Sequence, residues 1–214
     1  MSEKPILFNT EMVRAILSGR KTQTRRVIKP QPKEGFTAVC DPYNGFYEYR
    51  YGAGAFWKTS LCAIDDVLWV RETWKSATGD PAGGGYALFD TYVYKADGKA
   101  KDDYPVDELM VEDRWHPSIH MPRQAARIFL RVTGVRIERL QAIQTMDAVA
   151  EGADARWYQD EWGNPIYENT PIDVFSELWD STIKKSDLPL YGWDANPWVW
   201  LINFEKIDRP EAQT

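Results

Sequence analysis

Short runs of β-branched and aromatic residues outnumber helix-period runs in this chain, and no regular strand–helix–strand alternation connects them. An open parallel sheet needs crossover helices, so this pattern points instead to an α+β fold, a small twisted barrel flanked by short helices. The strongest strand is Trp198-Val199-Trp200-Leu201-Ile202-Asn203-Phe204-Glu205. Shorter strands are expected at Pro5–Phe8, from Val27-Ile28, through Asp66–Trp74 and at Leu88–Tyr94. A hairpin is expected from Phe36–Val39 and Phe46–Tyr51 around Asp41-Pro42-Tyr43-Asn44-Gly45. Arg127–Thr133 and Val135–Leu140 read as two strands broken at Gly134, while 95–114 and 154–170 read as irregular.

Three helices carry local start and stop signals. Asn9 or Thr10 caps one with Met12, Val13, Ile16 and Leu17 on one face, and Gly19 ends it. Thr145 or Asp147 opens a short one running through Ala150 and Glu151 to Gly152. Pro171 starts a third, whose buried stripe is Val174, Phe175, Leu178 and Trp179. Aromatic residues make up 14% of the 214, enough to build a core from a chain only 43% apolar.

The apolar runs are too short to span a bilayer, and Met1-Ser2-Glu3-Lys4-Pro5 has no secretory apolar segment, so a cytoplasmic protein is expected. Two cysteines, Cys40 and Cys62, make no disulfide framework in a chain this long. A net charge of −6 argues against nonspecific coating of nucleic acid. Yet Arg14, Arg20, Lys21, Arg25, Arg26, Lys29 and Lys33 follow one another with no acid between them, whereas the acids crowd at 102–113. That asymmetry suits either a positive site on an acidic body or a solvated basic face.

The succession of elements resembles the ASCH family, a branch of the PUA-like barrels. The succession is strand, capped helix, Gly-Arg-Lys-Thr-x-Thr-x-Arg, Asp-turn with apolar strand, strand pair, small-residue helix ending in Glu, and aromatic strand. Ile16-Leu17-Ser18-Gly19-Arg20-Lys21-Thr22-Gln23-Thr24 is similar to the matching segment of small bacterial ASCH amidohydrolases that deacetylate N4-acetylcytidine. The resemblance implies that Lys21, Thr24 and Glu151 occupy their catalytic positions, with no cofactor and no metal. Asp66–Trp74, Pro117–Arg123 and Asn196–Trp200 resemble the longer phage and prophage-borne members. A single ASCH/PUA-like domain is then expected over 1–208, with insertions near 33–60, 76–115 and 154–170 and a flexible tail at 209–214.

Amide hydrolysis requires a nucleophile, a base to take its proton and an acid for the leaving amine. Thr24 would be the nucleophile and Lys21 its base, which requires desolvation or nearby positive charge to neutralise the amine. Glu151 would protonate the departing N4. The competing readings are a charged Lys21 gripping phosphate, a turn-closing Thr24 hydroxyl and a surface Glu151 at a helix end. Arg20, Arg25, Arg26, Arg71, Glu72, Arg123 and Arg127 are candidate contacts to a modified nucleoside or RNA. Trp69 and Trp74 are core residues or base-stacking platforms. His116 and His120 have helical spacing but are flanked by Pro117 and Pro122, which argues against a zinc site. Three functions remain open: an N4-acylcytidine amidohydrolase, a non-catalytic RNA-binding module, and a phage accessory protein that binds a host protein.

Overall fold

The computed structural model describes residues 2–32, 35–40, 47–51, 55–79, 89–98 and 109–210. The expected turn at 41–45, the glycines at 83–85, the acids at 102–108 and the last residues of the tail lie outside them.

The elements in chain order are β1 (Glu3–Leu7), α1 (Thr10–Leu17), β2 (Gln23–Val27), β3 (Phe36–Cys40), β4 (Tyr47–Tyr51) and β5 (Ala55–Thr59). Next come β6 (Val67–Arg71), β7 (Trp74–Gly79), β8 (Phe89–Tyr94), β9 (Leu109–Val111), β10 (Phe129–Arg139) and α2 (Thr145–Ala150). The chain closes with β11 (Arg156–Gln159), β12 (Pro165–Asn169), α3 (Pro171–Thr182), α4 (Leu188–Tyr191) and β13 (Trp198–Ile207). The architecture is α+β, with a mixed five-stranded sheet in the order β1-β6-β10-β13-β2 and few short helices. In it β1 runs parallel to β6 and β13 antiparallel to β2. The smaller sheets are β3-β4-β5, β8-β7-β9 and β11-β12. Among the described residues no helix is long and apolar enough to cross a membrane.

The chain divides into two compact units. One comprises Met1–Ser2, Gly19–Asp66 and Arg131–Glu205. Its apolar core holds Leu140, Ile143, Ala148, Ala153, Phe175, Trp179 and Val199. The α3 helix presents Phe175 and Trp179 to this core because Thr170 caps its first turn, accepting from the Asp173 N–H, and Pro171 tolerates the first helical position. Phe175→Ala is expected to cost about 3–5 kcal/mol through lost burial and the cavity left behind. Urea unfolding would show it as a lower midpoint at unchanged slope.

The second unit comprises Glu3–Ser18, Val67–Leu130 and Lys206–Thr214. Val67, Trp69, Ala126 and Phe129 form its core cluster, so Trp69 is a core residue. Asn9 caps α1, its side chain accepting from the Met12 N–H at 2.8 Å.

Four expectations need correction. The break at Gly134 does not occur: β10 runs through it, and a Cβ there would lie 3.2 Å from Asn203 Nδ2. The glycine therefore serves close approach to β13 rather than a turn. The segment 154–170 contains the antiparallel β11–β12 pair. Asp66–Trp74 yields two strands, β6 and β7, separated at Glu72-Thr73. The strand expected from Val27 instead begins at Gln23 and ends at Val27, so Thr24 sits in a strand opposite Ile202 and not in a turn. Long polar side chains hid β2, because a run of Gln, Thr and Arg has no apolar alternation to read.

Candidate functional site

Backbone pairing carries Lys21 to Glu151. After Gly19 (φ 76°) turns the chain, the Thr22 N–H donates to Ala150 O at 2.9 Å and the Phe204 N–H donates to Thr22 O at 2.9 Å. The segment is thereby pinned between the end of α2 and strand β13. Glu151 caps the C-terminus of α2.

There Lys21 and Glu151 have side chains 0% and 3% exposed, with Nζ 2.6 Å from Oε2. Lys21 Nζ also donates to Glu151 O at 2.8 Å and Gln23 O at 2.9 Å, so each of its three donors has an acceptor. Burial lowers the lysine below its ordinary pKa; Glu151 opposes this, and the charges of Arg26 and Arg25 add to the lowering.

Strand alternation places Gln23 and Arg25 on one face of β2 and Thr24 and Arg26 on the other. The Arg25 side chain is fully buried against three carboxylates. Its Nε donates to Glu138 Oε1 at 2.8 Å and its Nη1 to Glu151 Oε1 at 3.1 Å. Nη2 lies 2.7 Å from the same Glu138 oxygen, too bent for a second hydrogen bond, so that contact is electrostatic. Thr24 is 1% exposed, and among the described residues its hydroxyl has no hydrogen-bond partner. The structure thus brings Lys21 and Glu151 into contact, buries Thr24, and leaves the Thr24 hydroxyl bonded to neither.

The other candidates meet carboxylates or carbonyls. Arg20 pairs with Asp154, and Arg26 Nη1 reaches Arg25 O at 3.4 Å. In the second unit Arg71 donates to Ile119 O at 3.2 Å and Arg123 donates to Glu3 at 2.7 Å. Arg127 bonds both oxygens of Glu72 at 2.9 and 3.0 Å and pairs with Asp97 at 2.8 Å. Burial pushes the Glu72 carboxyl up, against the pull of Arg127. Within the basic tract Arg14, Lys29, Arg20, Lys21 and Arg25 each oppose an acid. His116 stacks on Trp74 and lies 2.7 Å from Glu112. Among the described residues no group of three or more His, Cys, Asp or Glu could hold a metal ion.

Arg127 also lies over the ring of Tyr94, whose hydroxyl donates to Ala125 O at 2.7 Å. Burial pushes the phenol up to about 12 from 10.0, with Arg127 opposing. A raised folded-state pKa stabilises the fold below the unfolded value and loses that contribution as pH rises through the folded one. Stability should therefore decline between about pH 10 and 12 more steeply in the native chain than in Tyr94→Phe, as urea midpoints would show.

Residue-by-residue reading of the sequence did not find Glu138, Asp147 as an ion-pair partner, or Gln23, whose Nε2 donates to Asp147 O at 2.7 Å. Glu138 lies in a strand that also carries Arg131, Arg136 and Arg139, so nothing in the strand pattern marks it; Arg136 donates to it at 3.0 Å. Comparison with protein-family models, curated proteins and solved structures returned no significant match.

Proposed function

We propose that this chain is an ASCH-type, PUA-like barrel protein and an amidohydrolase acting on an N4-acylated cytosine nucleoside. One observation carries the reading: a fully buried Lys21 in 2.6 Å contact with a buried Glu151, and, three residues after the lysine, a buried Thr24 hydroxyl with no hydrogen-bond partner among the described residues. Buried ion pairs offset little of their own desolvation, and perturbed buried groups concentrate at functional sites. A phosphate grip fits less well, because the Glu151 carboxylate at 2.6 Å already neutralises the ammonium.

The chemistry follows from one proton. Its transfer from Lys21 Nζ to Glu151 Oε2 turns the ion pair into a neutral amine and a carboxylic acid, a base and an acid in one step. The Lys21 amine takes the Thr24 proton as Oγ1 attacks the acyl carbon. Glu151 protonates N4 as the C–N bond breaks, which frees the cytosine amine and leaves an acyl ester on Thr24. Water attacks that ester, its proton going to Glu151 while Lys21 returns the proton to Thr24, so acetic acid leaves; the proton then passes from Glu151 back to Lys21 and restores the ion pair. The test is chromatographic detection of cytidine released from N4-acetylcytidine by the purified protein.

A second reading, a non-catalytic RNA-binding module, draws on the exposed aromatic side chains Trp157, Tyr158, Trp162 and Tyr167 around the β11–β12 pair. Such rings can stack on bases without reading sequence. Absent turnover combined with salt-sensitive RNA binding would favour it over the hydrolase.

A further inference from the structure

We infer that Arg25 is a positioning residue of this site: anchored by Glu138 and Asp147, its guanidinium holds one oxygen of Glu151 so that the other stays on Lys21. The inference rests on the amidohydrolase reading. A carboxylate at the end of a Glu side chain turns easily about its last bond, because that torsion has broad wells. Here both oxygens are held, Oε1 by Arg25 Nη1 at 3.1 Å and Oε2 by Lys21 Nζ at 2.6 Å.

The holder is itself held. Arg25 Nε is bonded to Glu138 of β10, Nη2 lies 3.7 Å from Asp147 of α2, and the Phe175 ring of α3 sits 5.8 Å from the guanidinium carbon. Asp147 is fixed in turn by Gln23 Nε2 at 3.1 Å and by the Gln144 N–H at 3.2 Å, and the second Glu138 oxygen accepts from Arg136. A planar fork is suited to spanning two elements and three acids, whereas a lysine ammonium supplies the charge at one point only.

Arg25 also sets charge. The groups acting on Lys21 are Glu151, which attracts its proton, and Arg26 and Arg25, which repel it. Removing the Arg25 charge should leave Lys21 protonated to higher pH, and a rate that needs the neutral amine should rise later along the pH axis. Position and charge are separable: Arg25→Lys keeps the charge and loses the fork, whereas Arg25→Gln loses both.

Two readouts test this on the full chain. One is kcat and KM against pH with N4-acetylcytidine. The other is the NMR titration of the Lys21 side chain in 15N-lysine-labelled protein, its signal assigned by its loss in Lys21→Arg. In Arg25→Gln both the Lys21 midpoint and the rising limb should move to higher pH, with kcat at neutral pH about tenfold lower and KM nearly unchanged. In Arg25→Lys the midpoint should stay and kcat should fall. If Arg25→Gln does not fold, Glu138→Gln replaces it. That variant leaves the Arg25 charge less neutralised, so the Lys21 midpoint should move to lower pH while kcat drops from the loosened anchor. An unmoved Lys21 midpoint in the charge variants, with a rate loss equal at every pH, overturns the proposal and leaves Arg25 a structural residue. If wild type releases no cytidine, the hydrolase reading fails, and the Lys21 titration still decides whether Arg25 governs that amine.

Discussion

Lys21→Met, Thr24→Ala and Glu151→Gln are each expected to lower release of cytidine from N4-acetylcytidine by about 10²- to 10⁴-fold. The three should behave as a unit, so any double variant should lose little more than the worst single one. Thr24→Val makes the sharper comparison. The Thr24 hydroxyl is buried with no partner among the described residues, so exchanging it for a methyl should leave stability unchanged or raise it by about 1 kcal/mol while activity disappears. Turnover that survives both Lys21→Met and Thr24→Val would remove this site from the chemistry. A Thr24→Val protein that is both inactive and strongly destabilised would mark the hydroxyl as structural.

Glu151→Ala should destabilise the protein by about 3–5 kcal/mol, the largest effect expected of any surface-free charge here. It strips Lys21 of its carboxylate, leaving that ammonium buried without a counterion, and takes from Arg25 one of its three. The double variant Lys21→Met, Glu151→Leu should recover most of that loss, because apolar groups of similar size avoid the desolvation that the ion pair must offset. Urea unfolding of the three proteins measures both numbers. If Glu151→Ala unfolds within about 0.5 kcal/mol of wild type, the pair is open to water and the low-dielectric argument for a neutral lysine fails. A stable but inactive double variant would show that the charges are retained for chemistry and not for the fold.

Legibility varied with the range of the interaction. The starts of α1 and α3 were readable because their signals act within one turn: Asn9 caps Met12, and Pro171 suits a first helical position. The final strand was readable because its apolar run is continuous. By contrast, β2 was shortened in the reading and displaced toward Val27, since its buried side chains are a glutamine, a threonine and an arginine. Gly134 reads as a break because a glycine inside a strand pattern can mark a turn or a close backbone approach, and only the neighbouring Asn203 tells them apart. In the basic tract, Arg20, Lys21, Arg25 and Lys29 meet carboxylates that arrive from distant parts of the chain, Asp154, Glu151, Glu138 and Asp187, which residue order alone does not reveal.

What the amino-acid order determined by itself was local: where helices start, which runs are extended, and a Lys-Thr motif whose resemblance named Glu151 as its partner. What tertiary structure decided was the electrostatic state of those groups. Arg25 meets Glu138 and Glu151 across 113 and 126 residues, and Lys21 meets Glu151 across 130. No periodicity encodes such pairings; the strand order of the sheet and the docking of α2 bring the charges together. Burial then changes the free energy of a charge far more than its neighbours in sequence do, which is why the sequence leaves Lys21 open between a base and a phosphate contact and the fold shows it desolvated against Glu151.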